Sequence, residues 1–159
     1  AIAMEPMITL EHMKIHRISG EARYYLALVK GVIKLKAWQM SITWDDGEYV
    51  GPTYLLSVCN GPRTGGMMIA PGALMDDGYF DFVLAPEVPR TTVINFLLKL
   101  TKGTHVDLPI TTFTRTKSLK ITSEPGTPLH ADGEILSKSA KEISYEILPH
   151  KLTMLVPAP

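Results

Sequence analysis

Alternation of apolar and polar side chains at every second residue is the feature that most constrains this chain. Trp38, Met40, Ile42 and Trp44 fall on one face of an extended segment, and Gln39, Ser41 and Thr43 on the other. That is the signature of a half-buried strand, because successive strand side chains point to opposite faces. Asp45-Asp46-Gly47 follows and supplies a hairpin turn, since Asp-Gly tolerates the positive φ angles of tight hairpins. Tyr54–Cys59 is a short apolar run that reads as a strand buried on both faces. Phe80–Leu84, Ile110–Thr116, Ser118–Thr122, Ile143–Leu148 and Leu152–Val156 read as strands as well, with Pro149-His150-Lys151 turning between the last two. Two stretches carry a helical period instead. In Gly20–Lys36, Ala22, Tyr25, Leu26, Val29, Val32 and Ile33 recur at three- and four-residue spacing. In Pro89–Thr101, Val93, Ile94, Phe96, Leu97, Leu98 and Leu100 do so, with Pro89 suited to a first turn and Gly103 to a stop. The expected fold is mainly β, a β-sandwich or flattened barrel of about eight or more strands with two packed helices.

Composition narrows the class. The 159 residues suffice for one domain with its own core. Sixteen Lys and Arg balance sixteen Asp and Glu, so the basic surface of a nucleic-acid binder is not expected. A single cysteine, Cys59, excludes an internal disulfide framework and a multi-cysteine zinc site, and points to a reducing, cytoplasmic setting. No apolar run reaches the ~18–20 residues of a spanning helix. The N-terminus lacks the basic-then-apolar pattern of a signal peptide. Position 1 is Ala rather than Met, so a piece of a longer chain is expected.

Three segments carry candidate chemistry. Met75-Asp76-Asp77-Gly78-Tyr79 places two carboxylates beside a glycine turn, where carboxylate and backbone oxygens can converge on a hard cation; a turn with solvated aspartates has the same pattern. In His130-Ala131-Asp132-Gly133-Glu134, an extended backbone would project His130, Asp132 and Glu134 to one face at ~6.6 Å intervals. Such a row could hold a proton acceptor or a metal, while an Asp-Gly turn is the competing reading. The loop Asn60-Gly61-Pro62-Arg63-Thr64-Gly65-Gly66 offers backbone amides and one arginine to a phosphate, without the ending of a Walker A loop. Cys59 reads as a small buried hydrophobe. His12 and His16 share a helical spacing, but Met13 stands where a zinc hydrolase carries its glutamate.

Taken in order, Asn60-Gly61, Gly65-Gly66-Met67-Met68-Ile69-Ala70-Pro71, Ala73-Leu74-Met75-Asp76-Asp77-Gly78-Tyr79-Phe80-Asp81, Asp132-Gly133-Glu134 and Leu148-Pro149 followed by Leu152 and Val156-Pro157 resemble the second domain of the bacterial diacylglycerol kinase and lipid kinase family, which is itself similar to sphingosine kinases. The resemblance covers nearly the whole chain. It implies that residues 1–159 are the β-rich C-terminal domain of a two-domain kinase, whose N-terminal nucleotide-binding domain, with its Gly-Gly-Asp-Gly-Thr segment, is absent from this chain. It implies transfer of phosphate from ATP to a lipid hydroxyl such as that of diacylglycerol, with Glu134 as proton acceptor and Asp132 beside it or in its place. A Mg²⁺ is implied at Asp77, with backbone oxygens from Leu74 and Tyr79, and nucleotide contacts at Asn60, Gly61, Gly65 and Gly66. The implied partners are the lipid substrate and the chain's own N-terminal domain; peripheral membrane contact and a homodimer are open, and the fragment alone is expected to be inactive. A non-catalytic β-sandwich that binds an acyl chain or a protein is the alternative.

Overall fold

Two long strands that bend midway organise the fold. The structure, a computed structural model, describes residues 1–15, 20–64, 67–100, 102–149 and 151–153, without the side chains of residues 21, 24 and 25. In chain order the elements are β1 (Ile2–Ala3), α1 (Met4–Met13), α2 (Glu21–Ile33), β2 (Trp38–Trp44), β3 (Gly47–Cys59), β4 (Phe80–Pro86), α3 (Arg90–Leu100), a single 3-10 turn (Thr104–Asp107), β5 (Thr112–Thr116), β6 (Ser118–Ala131) and β7 (Glu134–Glu146). All strand pairings are antiparallel. In the lower half, β2 lies between Gly47–Thr53 of β3 and Leu119–Glu124 of β6. In the upper half, the remainder of β3 pairs with β4, and β4 pairs with β5. β7 runs along the outer edge of β6.

The halves are joined at corners. Register shifts fall between Thr53 and Leu55 of β3 and between Thr122 and Thr127 of β6, and such irregularities let a strand pass from one layer to the other. Gly126 sits in the second corner at φ +119°, and a Cβ there would lie 2.5 Å from Ser139 Oγ and 3.0 Å from the Ser139 backbone. The sheet thereby folds over its own inner face. Trp44 meets Phe82 edge to face at 5.3 Å, and Phe80 meets Tyr145 at 6.3 Å, although these strands are not neighbours in the sheet. Ile2, Met40, Ile42, Leu56, Leu84, Leu119 and Ile121 fill the enclosed core. The flattened-barrel expectation holds in architecture.

β1 lies in line with β2. Ile2 and Ala3 pair with Leu56 and Leu55 of β3, and Ile2 also pairs with Leu129 of β6, so β1 occupies the same lane that β2 fills lower down. The chain leaves that lane at Ala3, forms α1 and α2, and re-enters it at Trp38. These helices and α3 cover the outer face of the upper half, where Met4, Ile8, Ala27, Leu55, Val83, Val93 and Phe96 make a second core. Glu11, buried between Lys14 (2.7 Å) and Lys34 (3.0 Å), ties α1 to the end of α2. Hydrogen bonds from those two ammonium groups hold its carboxyl below the usual range.

Two expectations are corrected. The described residues form seven strands rather than eight or more, because Tyr54–Cys59 is the upper half of one long strand and Leu152-Thr153 lies outside any strand. Residues 154–156 of that expected strand lie outside the described residues. Among the described residues there are three α-helices rather than two, α1 being the additional one. Among the described residues, no helix is long and apolar enough to cross a membrane.

Candidate functional site

Strand register gathers the candidate segments at one rim of the upper half. His130 exchanges two backbone hydrogen bonds with Ala1, at 2.9 and 3.0 Å. The same register continues through β3, where Ser57 pairs with Val83 and Cys59 with Asp81, and through β4, where Asp81 pairs with Arg115. The rim therefore carries the β6–β7 tip, the Asn60–Gly61 loop that follows β3, and the Asp77–Tyr79 bend that precedes β4. Tip and bend are three lanes apart, about 14 Å at ~4.8 Å per lane.

The tip is a two-residue hairpin. Ala131 pairs with Glu134, and Asp132 (φ +47°) and Gly133 (φ +86°) have the positive φ values of a type I′ turn. Of the two readings of this segment, the Asp-Gly turn is the one formed, and the extended row of His130, Asp132 and Glu134 on one face is not, because the chain reverses at Asp132. Asp132 and Gly133 line a groove of about 400 Å³, together with Glu5, Thr9, Arg63, Thr64 and His130. Glu134 is exposed at the start of β7, outside that lining.

A carboxylate that the sequence reading missed lies under the tip. Glu5, in the first turn of α1, accepts a short hydrogen bond from the Ser57 hydroxyl and faces His130 Nε2 at 3.4 Å. Its distance from His130 in the chain, and a Pro-containing segment without an apolar stripe, left no sequence signal.

The second candidate centre is the Asp77 bend. Asp77 Oδ1 accepts the Tyr79 N–H at 3.0 Å, closing the turn. Asp77 Oδ2 is buried without a hydrogen bond and lies 3.5 Å from Arg115 Nη1. A bare carboxylate oxygen on a tight bend is the donor chemistry that a hard cation takes, so the residues fit one. Among the described residues no three His, Cys, Asp or Glu side chains converge, so backbone oxygens such as those of Leu74 and Tyr79 would have to complete the set. Asp81 is buried nearby, and desolvation raises its carboxyl pKa against the opposing pull of Arg115.

Asn60 is exposed, and it shares a surface groove with Met75, Asp76 and Gly78. Gly61 is half-buried beside Met75; Gly65, Gly66 and His16 lie outside the described residues. Cys59 is buried and its thiol is pushed up to about 11, mainly by burial, as expected of an inert packing residue.

With this geometry in place, comparison with known proteins identifies the chain's relatives. Residues 4–156 match the family described as the YegS C-terminal NAD kinase beta sandwich-like domain. The chain belongs to that family. A diacylglycerol kinase of Mycobacterium tuberculosis is 29% identical over 140 residues, covering 87% of this chain and 44% of the relative. A diacylglycerol kinase of Staphylococcus epidermidis is 27% identical over 123 residues, covering 76% and 39%. The crystal structure of a diacylglycerol kinase from Bacillus anthracis str. Sterne superposes with a TM-score of 0.62 at 24% identity over 82% of this chain and 44% of that one, a likeness of fold. The chain thus spans less than half the length of these relatives, and as a YegS-type domain it corresponds to their C-terminal part.

Proposed function

We propose that this domain is the lipid-facing half of an ATP-dependent kinase that phosphorylates a lipid hydroxyl such as that of diacylglycerol, with Glu134 as proton acceptor. The observation that carries this reading is the shared rim: the Asp132–Glu134 tip, the Asn60–Gly61 loop and the Asp77–Tyr79 bend open on one side, where a nucleotide-binding domain could close over them. Membership in a family whose relatives are named diacylglycerol kinases supports it.

Phosphoryl transfer asks mainly for positioning and for neutralised phosphate charge. The lipid oxygen bonds to the γ-phosphorus as the bond to the ADP oxygen breaks, and the hydroxyl proton passes to the Glu134 carboxylate. Glu134 is exposed on a rigid strand end, so it can meet a substrate presented from outside the domain. Asp132 faces the groove and would orient the hydroxyl-bearing end of the lipid. A Mg²⁺ held by Asp77, with the backbone oxygens of Leu74 and Tyr79, would supply positive charge that stiffens the bend. ATP would be bound mainly by the other domain, with Asn60 and Gly61 at its edge.

In the full-length kinase, Glu134→Gln should lower kcat by about 10²–10⁴-fold, the range expected for a lost general base, with an unchanged melting temperature. Retained turnover in a steady-state assay with diacylglycerol and ATP would remove Glu134 from this role.

A further inference from the structure

Glu5 and His130 form an ionisable pair at the rim that the proposed chemistry does not use. Side-chain exposure is 10% for Glu5 and 6% for His130, so both are nearly withdrawn from water. A carboxylate can only accept hydrogen bonds, so Nε2 must carry the proton shared with Glu5 Oε2 at 3.4 Å. The other ring nitrogen, Nδ1, is buried and has no hydrogen-bond partner. Ser57 of β3 occupies Glu5 Oε1. One carboxylate thus joins the start of α1, the upper half of β3 and the end of β6.

Burying these groups is costly, and packed apolar residues at such positions are often equally stable or more so. Apolar packing and backbone pairing also hold this corner. Both neighbours in α1 that face the sheet, Met4 and Ile8, are core residues, and His130 is already fixed to Ala1 through its backbone. What the pair does reach is the tip, because β6 reverses at Asp132 two residues after His130, and all three side chains line the same groove.

We propose that Glu5 and His130 are positioning residues, which clamp the Asp132–Glu134 tip to the first turn of α1 so that tip and helix move together. The inference rests on the tip being the proton-accepting end of the site. The charged and titratable groups facing the pair are Cys59 of β3, Arg63 of the following loop, Asp132 of the tip and Tyr145 of β7.

Two measurements test it. In the 159-residue chain, ¹⁵N NMR of Glu5→Gln should shift the His130 ring nitrogens and the Gly133 amide, while the Asp46 amide in the distant β2–β3 turn stays in place. In the full-length kinase, Glu5→Met should keep the melting temperature yet lower kcat at least tenfold with an unchanged KM for ATP; a purely structural role predicts the reverse. If Glu5→Met does not fold, Ser57→Ala, which frees one carboxylate oxygen, should give the same Gly133 shift in smaller measure. A Gly133 amide that ignores Glu5→Gln overturns the clamp, as does an unchanged kcat in Glu5→Met. Should Glu134→Gln itself stay active, the base assignment fails, and the Gly133 response still decides the clamp.

Discussion

Single groups in this domain differ sharply in whether their partners are present. His105 is fully buried, donates from Nε2 to the Ile69 carbonyl at 2.8 Å, and stacks edge to face on Phe96. Burial lowers its pKa from 6.5, so the unfolded chain binds a proton more readily than the folded one. Stability from this residue is therefore complete above about pH 6.5 and declines as the pH falls below it, until the folded form also takes up the proton. Thermal melts from pH 7.5 to 5 should show this decline in the wild type and a weaker one in His105→Gln. At Asp77, Oδ2 is buried without a hydrogen bond beside the Arg115 guanidinium at 3.5 Å, and the proposed Mg²⁺ would take this oxygen. Mg²⁺ at tenfold its Kd should stabilise the chain by about 1.4 kcal/mol, a rise of roughly 3–6 °C in melting temperature. Asp77→Asn should abolish that rise; an identical rise in the variant would place the cation elsewhere.

The corners and the tip show how elements depend on a few backbone positions. Gly126 and Gly133 both have positive φ, but a Cβ at Gly126 strikes the Ser139 backbone whereas one at Gly133 meets open space. Gly126→Ala should thus cost more than Gly133→Ala, with about 1–3 kcal/mol from backbone strain common to both, as read from urea denaturation. Equal losses would mean that the corner relaxes freely. Regular elements were legible in the sequence wherever one face was consistently apolar: β2, its hairpin, β4, α2 and α3 all lie within a few residues of their expected bounds. α1 was not legible, because Met4-Glu5-Pro6 opens it, Glu11 occupies a buried position and Met13 an exposed one. The first half of β7 was missed for a related reason, as its side chains are mostly exposed and mixed in polarity. At the candidate site, Asp132, Glu134 and Asp77 were legible as members of Asp-Gly turns, their roles being what the family resemblance implies. Glu5 was not, since it meets His130 only through the pairing of β1 with β6, a relation that no local pattern encodes.

At the scale of the molecule, the candidate groups occupy an edge rather than an enclosed pocket. Asp132 looks into an open groove, Glu134 into solvent, and the Asp77 bend lies three lanes away. Among the described residues these groups are spread along the rim, the tip on a groove of about 400 Å³ and the Asp77 bend on a separate one of about 900 Å³, rather than gathered in one pocket. The 159-residue chain alone should therefore incorporate no measurable phosphate into diacylglycerol from radiolabelled ATP, whereas the same residues joined to a nucleotide-binding domain should do so. Turnover by the chain alone would show that the edge is already a complete catalytic centre.

Two separated stretches of chain, Ile2–Ala3 and Trp38–Trp44, share one lane between β3 and β6. Only two residues plug its upper end, and withdrawing them would bare the amide and carbonyl groups of both flanking strands beside the tip. Such a vacated slot is a ready receptor for any extended peptide of suitable polarity, including the same two residues from another molecule. The short plug thus covers two strand edges that would otherwise lie open beside the tip.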